Sequence, residues 1–324
     1  MTGRSVDELR VVFMGTPEFA VPCLDRLIEM GAQLLAVVTG VDKPAGRGQK
    51  VQSSPVKQRA VAANISIWQP ENLRDPSFRE VLQRLEADLF VVVAFRILPP
   101  EIFKLPRLGA VNVHASLLPK YRGAAPIQWA ILRGEKETGV TTFFIDEKVD
   151  TGELIMQLRT PIGEMETAGE LHDRLMILGA EALVETVKMI AAGTVTRQPQ
   201  IGTPTLAPKI TREMAHIDWA QPAGEIVNLV RAMNPSPCAF TRVGDKLLRV
   251  YRVHEARGSR IEERGSKSPA AGAILRADAA SVELLVATAS GAIAIDELQL
   301  EGRKRMSTAE FLRGFSLARD EKFT

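Results

Sequence analysis

Short apolar runs alternate with helical patterns through the first half of the chain. Residues 11–14 (Val-Val-Phe-Met) are continuously apolar and stop at Gly15, which predicts a buried strand. Pro17 and Glu18 then open a helix with Phe19, Val21, Leu24, Leu27 and Ile28 on its inner face. The same patterns predict strands over 34–38, 65–68, 89–94 and 110–113, and helices over 56–63 and 75–85. Such alternation implies βαβ units, hence an α/β fold with a Rossmann-like, mostly parallel sheet covered on both faces. A helix over 126–132, strands over 141–145 and 154–158, and a long amphipathic helix over 167–192 complete this part.

Beyond residue 192 the pattern changes. Residues 192–208 are rich in Pro, Gly and Thr, and a helix over 223–233 is stopped by Asn-Pro-Ser-Pro. Five β-rich runs follow at 238–243, 246–254, 273–277, 281–287 and 292–300, separated by Gly and Asp turns. Short strands at this spacing predict a small barrel of the oligonucleotide-binding (OB) type. Residues 306–310 (Met-Ser-Thr-Ala-Glu) open a last helix with a capping-box start. The expected division is a first domain over 1–193, a linker over 194–212 and a C-terminal barrel over 213–324.

Composition narrows the class of protein. The chain has 324 residues, 45% hydrophobic and 25% charged, ordinary for a globular protein with a real core. No uninterrupted apolar run approaches the ~20 residues of a membrane span, and the first eight residues contain no apolar signal core. The two cysteines, Cys23 and Cys238, lie far apart, suit a reducing compartment and form no metal pattern. A cytoplasmic protein without a metal is expected, and a monomer. Net charge is +2, so no global field demands nucleic acid, but residues 194–324 carry +4 and residues 1–193 carry −2. On charge alone that difference reads as a solvated surface, and it is also compatible with a back half that meets phosphates.

The chemistry concentrates at 112–119 (Asn-Val-His-Ala-Ser-Leu-Leu-Pro), with Asp150 further on. On an extended backbone Asn112 and His114 point to the same side. In a parallel sheet, ligands bind beyond the carboxyl ends of the strands. There a carboxamide can hydrogen-bond a developing oxyanion, an imidazole can move a proton near neutral pH, and a carboxylate can fix the imidazole's tautomer. That trio is an acyl-transfer arrangement, although the spacing alone also fits a strand-end histidine and a plain turn aspartate. A dinucleotide site is the obvious rival, but the first strand–helix turn is Met14-Gly-Thr-Pro-Glu-Phe-Ala20, without G-x-G-x-x-G, and no phosphate loop of the G-x-x-x-x-G-K-[ST] type is present. His172, His216 and His254 lack partner spacing and read as structural or surface residues. Residues 39–55 form a long polar connection with Lys43, Arg47 and Lys50 against Asp42; a functional loop and a mobile solvated one both fit.

Five stretches in this order resemble the folate-dependent formyltransferases: 14–22 (Met-Gly-Thr-Pro-Glu-Phe-Ala-Val-Pro), 42–48 (Asp-Lys-Pro-Ala-Gly-Arg-Gly), 112–119 with 121–128 (Tyr-Arg-Gly-Ala-Ala-Pro-Ile-Gln), 139–142 (Gly-Val-Thr-Thr) and 149–152 (Val-Asp-Thr-Gly). The likeness spans nearly the whole chain and is strongest to the branch acting on methionyl-tRNA. It implies an enzyme with 10-formyltetrahydrofolate as co-substrate, initiator methionyl-tRNA as partner, and Asn112, His114 and Asp150 as catalytic residues. It implies a pterin pocket walled by Phe95, Arg96, Ile97 and Leu98 and by Ser116, Leu117, Leu118 and Pro119. It also implies that the loop bearing Lys43, Arg47 and Lys50 inserts beside the acceptor end of the tRNA, and that the barrel helps hold the tRNA. One departure stands out. Many relatives carry a longer segment after residue 94, with a glycine after the aromatic residue, where this chain has Arg96.

Overall fold

The first apolar run forms β1 (Arg10–Gly15), buried from Val11 onward. The computed structural model describes residues 4–45, 50–256, 269–278, 280–317 and 321–324. In chain order the first part continues with α1 (Val21–Glu29), β2 (Gln33–Val38), β3 (Lys43–Ala45), β4 (Lys50–Gln52), α2 (Pro55–Ala62), β5 (Ile67–Trp68), α3 (Pro76–Arg84), β6 (Leu89–Val93), α4 (Pro100–Phe103) and β7 (Ala110–His114). Then come α5 (Pro126–Leu132), β8 (Glu137–Phe144), β9 (Leu154–Pro161) and α6 (Ala168–Ala192). The helix starts follow the sequence chemistry. Asp75 caps α3 by accepting the Ser77 N–H at 2.9 Å, Ser54 caps α2 by accepting the Lys57 N–H at 3.0 Å, and both helices carry proline in the first turn.

Two compact units emerge. One holds residues 1–126, 137–161 and 172–208; the other holds 127–136, 162–171 and 209–324. The first unit is built on a seven-stranded sheet of order β5-β2-β1-β6-β7-β8-β9. Pairing is parallel from β5 to β7 and antiparallel at β7–β8 and β8–β9. All five residues of β6 are buried, as a central strand covered on both faces requires. One face packs Val12, Met14, Phe90 and Val92 against Phe78, Leu82 and Ile102. Within the connection over 39–55, the described residues 43–45 and 50–52 form strands that its composition does not suggest. β3 and β4 pair as antiparallel arms, Lys43 opposite Gln52. At their base the Lys57 ammonium donates to Asp42 at 2.5 Å and to Gln69 at 2.7 Å.

The second unit contains α7 (Ala223–Met233), β10 (Ala239–Val243), β11 (Lys246–Glu255), β12 (Ile274–Asp278), β13 (Glu283–Ala287), β14 (Ala292–Leu300), β15 (Met306–Ser307) and α8 (Thr308–Gly314). Its strands form an antiparallel sheet of order β10-β11-β14-β13-β12, with β15 beside β14. The chain end joins the two outer strands. The Phe323 N–H donates to the Gly272 carbonyl at 2.8 Å, and Arg242 and Thr324 exchange backbone hydrogen bonds at 2.9 and 3.1 Å. Trp219, Ile226, Val250, Leu284, Ile295, Phe311 and Phe323 share the core of this unit. The last helix starts with the capping box expected from Ser307 and Glu310. Among the described residues no helix is long and apolar enough to cross a membrane.

Candidate active site

The site begins where β7 ends. The strand is apolar at Ala110, Val111 and Val113 and is held in register by β6 and β8, with Asn112 opposite Val92 and Phe143, and His114 opposite Thr141. Registration between two buried strands fixes the backbone from which Asn112 and His114 project. Asn112 is half-buried and His114 is buried, at 7% exposure.

Two groups flank the His114 ring. Its Nε2 lies 2.9 Å from the Tyr121 carbonyl oxygen. A carbonyl only accepts, so Nε2 carries the hydrogen and the other nitrogen, Nδ1, is left to exchange a proton. Nδ1 faces the Asp150 carboxylate across 3.7 Å, with only 11% of the Asp150 side chain exposed. That gap is longer than a direct hydrogen bond. It leaves room for the pair to act on one shared proton donor. Asp150 Oδ2 also accepts the Gly123 N–H at 2.8 Å. Asp150 sits on a turn with φ +54°, a conformation Asp tolerates better than most residues. Gly152 closes this turn, and no side chain fits there, since a Cβ would stand 1.6 Å from the Phe144 carbonyl oxygen.

The loop that delivers Tyr121 and Gly123 is held from below and from the side. The Thr141 hydroxyl donates to the Ser116 carbonyl at 2.6 Å and accepts the Leu118 N–H at 3.2 Å. Gln157 donates to the Leu118 carbonyl at 2.9 Å and to Thr141 Oγ1 at 3.0 Å. The Leu118–Pro119 peptide is cis. Residues 200–207, expected to lie in a linker, run along this loop. The Arg122 N–H donates to the Thr205 carbonyl at 2.9 Å, the Ala207 N–H to the Arg122 carbonyl at 2.7 Å, and the Ala125 N–H to the Ala207 carbonyl at 3.1 Å. Gly123 has φ +124°, and a Cβ there would meet the Ala207 carbonyl oxygen at 2.7 Å, so only glycine allows this approach.

The expected pocket residues fall in two groups. Ser116 and Leu118 are buried, Leu117 and Pro119 half-buried, all on the loop just described. Phe95 to Leu98 follow the end of β6, with Leu98 buried and Ile97 75% exposed. The Arg96 guanidinium donates to the Glu71 carbonyl at 2.9 Å and the Pro70 carbonyl at 2.7 Å and lies over the Phe95 ring at 5.3 Å. Arg96 therefore braces the 70–71 backbone. A cavity of about 350 Å³ is lined by Arg96, Ile97 and Leu98 together with Glu71, Asn72 and Glu147. Its size suits part of a small molecule. Of the basic loop, Lys43 is exposed at the start of β3 and Lys50 begins β4; Arg47 lies outside the described residues. Among the described residues no group of three or more His, Cys, Asp or Glu is placed to hold a metal ion.

Sequence reasoning missed five contributors: the Tyr121 carbonyl, the Gly123 N–H, Thr141, Gln157, and Gln200, whose amide donates to the Asp150 and Gly152 carbonyls. Two are backbone groups with no side-chain signature. Thr141 stood inside a β-branched strand, and Gln200 inside a stretch whose composition reads as connection.

Comparison with known proteins adds independent findings. Residues 9–187 match the family model described as "Formyl transferase", and residues 209–316 match "Formyl transferase, C-terminal domain". The chain is 47% identical over 307 residues to the methionyl-tRNA formyltransferase of Pelotomaculum thermopropionicum, covering 94% of this chain and 96% of that one. It is 45% identical over 320 residues to that of Flavobacterium johnsoniae, covering 98% and 99%. Among solved structures, an N-formyltransferase from Helicobacter canadensis, in complex with folinic acid and dTDP-3-aminofucose, superposes with TM-score 0.62 at 22% identity, over 89% of this chain and 98% of that one. HypX from Aquifex aeolicus, in complex with tetrahydrofolic acid, superposes with TM-score 0.62 at 19% identity, over 96% of this chain and 48% of that one. These two likenesses speak to the fold.

Proposed function

The chain belongs to the methionyl-tRNA formyltransferase family, and from that premise we propose that it transfers the formyl group of 10-formyltetrahydrofolate to the α-amino group of methionine on initiator methionyl-tRNA, giving N-formylmethionyl-tRNA. The protein is thus an enzyme of one-carbon group transfer that serves translation initiation. The observation that supports the site reading is the His114–Asp150 pair, Nδ1 facing the carboxylate across 3.7 Å, with Asn112 two residues before His114 on β7.

The chemistry follows from the groups in place. The free amine attacks the formyl carbon, a new C–N bond forms and the carbonyl oxygen becomes an oxyanion. The Asn112 carboxamide N–H donates to that oxygen where its charge develops. The amine must lose a proton as it attacks. His114 Nδ1 and the Asp150 carboxylate stand together to take it, because Nε2 is engaged by the Tyr121 carbonyl. The tetrahedral carbon then collapses, its bond to the folate nitrogen breaks, and that nitrogen leaves with the proton the pair returns. Bonds and protons balance: one N–H is exchanged for another. No covalent enzyme intermediate is needed.

Binding is divided among three regions. The residues after β6, Phe95 to Leu98, and the loop over Ser116 to Pro119 wall the folate. Backbone groups supply most of its polar contacts, since Arg96 is committed to Pro70 and Glu71. The basic loop bearing Lys43, Arg47 and Lys50 meets phosphates near the acceptor end, and the C-terminal barrel (213–324) holds the body of the tRNA while residues 1–193 do the chemistry. The enzyme works in the cytoplasm as a monomer. The test is direct. Purified protein is incubated with 10-formyltetrahydrofolate and charged initiator tRNA, and formylmethionine is sought after deacylation. Absence of product, or equal use of a free amino sugar, would overturn the reading.

A further inference from the structure

Gln200 reaches across two loops of the site with both ends of its carboxamide. Nε2 donates to the Asp150 carbonyl at 2.9 Å and to the Gly152 carbonyl at 2.9 Å. Oε1 accepts from Arg122, at 2.6 Å from Nη2 and 3.1 Å from Nε. Arg122 precedes Gly123, whose N–H holds the Asp150 carboxylate at 2.8 Å. One side chain therefore fixes the backbone that carries Asp150 and the backbone that grips Asp150.

The bonding is fully used. An amide nitrogen has two donors and both are spent on the turn; the amide oxygen is spent on the guanidinium fork. The turn needs such support, because Asp150 is held at φ +54°, a conformation that costs free energy in a non-glycine residue and persists only when surroundings enforce it. The 3.7 Å separation between His114 Nδ1 and Asp150 Oδ2 is therefore set from the far side of the turn. We propose that Gln200 is a positioning residue for the Asp150 carboxylate, an inference that rests on the reading of Asp150 as part of the proton-transferring pair. Gln200 touches neither substrate in this role. It acts on the rate through the placement of another group, and misplacement of a reacting group by an ångström costs on the order of 10²-fold.

The test uses two near-isosteric changes in the full chain. Gln200→Glu keeps the contact with Arg122 as an ion pair but turns an oxygen toward the Asp150 and Gly152 carbonyls, where two donors are needed. Gln200→Met removes donors and acceptor alike and covers the case in which one variant does not fold, as judged by its melting curve. Each is made alone and combined with Asp150→Ala, and formyl transfer to charged initiator tRNA is followed by steady-state and single-turnover kinetics. The expected result is a kcat lower by about tenfold to 10²-fold, KM values for both substrates within about twofold of the parent, and no further loss when the change is added to Asp150→Ala. A purely structural brace predicts the same fold loss in both backgrounds, and that outcome overturns the inference. Full turnover by Asp150→Ala overturns the reading of Asp150, and the inference with it. An inactive Asp150→Ala beside a fully active Gln200→Glu overturns the inference alone.

Discussion

Gly123→Ala should lower turnover far more than it lowers stability. The residue has φ +124°, and an added Cβ would sit 2.7 Å from the Ala207 carbonyl oxygen and 3.2 Å from its carbon. A φ of that kind costs a non-glycine residue about 1–3 kcal/mol. The backbone oxygen cannot rotate away as a side chain would, so the 122–125 loop and residues 205–207 must separate by several tenths of an ångström. That shift moves the Gly123 N–H, which donates to Asp150 at 2.8 Å. A hydrogen bond to a charged group contributes about 1.5–3 kcal/mol, and each 1.4 kcal/mol is tenfold. If the bond is lost from the working geometry, kcat falls by roughly 10- to 10²-fold. A matched control exists in Gly193, which has φ +69° and no atom within 4 Å of an added Cβ. Gly193→Ala should carry only a left-handed backbone cost of about 1–2 kcal/mol, lower Tm by a few degrees and leave kcat alone. The assay is formyl transfer at saturating co-substrate, beside thermal melts of both variants. A Gly123→Ala protein that loses Tm in step with Gly193→Ala while keeping the parent kcat would refute the argument that this N–H sets Asp150.

Replacing Asn112, His114 or Asp150 by Ala should each reduce turnover by about 10²-fold or more while a folate analogue still binds, as read by fluorescence titration; a His114→Ala enzyme near parental rate would remove His114 from the mechanism. Arg47→Ala should weaken kcat/KM for charged tRNA much more than folate binding, and raising the salt should erase part of the difference because phosphate contacts are screened; parental efficiency at both low and high salt would show that Arg47 only solvates its loop. Asp88 gives a pH signature. Its burial opposes ionisation, but hydrogen bonds from the Arg107 guanidinium and the Arg10 N–H, with the charges of Arg107 and Arg4, outweigh burial and hold its carboxyl below the usual value. A carboxyl lowered on folding stabilises fully above the unfolded value of about 4 and loses that contribution as pH falls through the folded one. Asp88→Asn should therefore melt lower than the parent at pH 7, with the gap closing below about pH 4; a gap independent of pH would refute the assignment.

The elements read most readily from the sequence are those whose stabilising chemistry is local. The run at 89–94 is continuously apolar because β6 is buried on both faces, and the Ser307–Glu310 capping box closes within four residues. The β3–β4 pair was not legible, because its arms are short, polar and joined through residues with no strand pattern. Its order depends on a tertiary clamp, Lys57 with Asp42 and Gln69. The role of Arg96 was equally hidden, since its partners are carbonyl groups of residues 70 and 71, and every residue has a carbonyl. The seam made by residues 323 and 324 joins chain segments more than forty residues apart mostly through backbone groups, with one hydroxyl, that of Thr241, donating to the Thr324 carbonyl, so the sequence pattern did not announce it.

The same reasoning explains why the trio was visible and its support was not. Asn112, His114 and Asp150 are side chains whose chemistry is rare and whose spacing on a strand is informative. What fixes them is mostly backbone: the Tyr121 carbonyl settles which nitrogen of His114 carries the hydrogen, and the Gly123 N–H settles where the Asp150 carboxylate rests. Those two groups belong to one loop, and that loop is fixed by Thr141, Gln157 and residues 200–207. Composition reads 200–207 as a connection because Pro, Gly and Thr dominate it. The segment nevertheless pairs with another loop through backbone hydrogen bonds at Thr205 and Ala207, although most of it is exposed. A proton-transferring pair separated by 3.7 Å works only if neither partner drifts toward solvent or collapses onto the other. The hydrogen bonds that prevent both motions come from opposite sides, residue 121 on His114 and residues 123 and 200 on Asp150. On the proposed mechanism, placement of the Asp150 carboxylate depends on a segment some fifty residues further along the chain, and a substitution there slows the reaction without approaching either substrate.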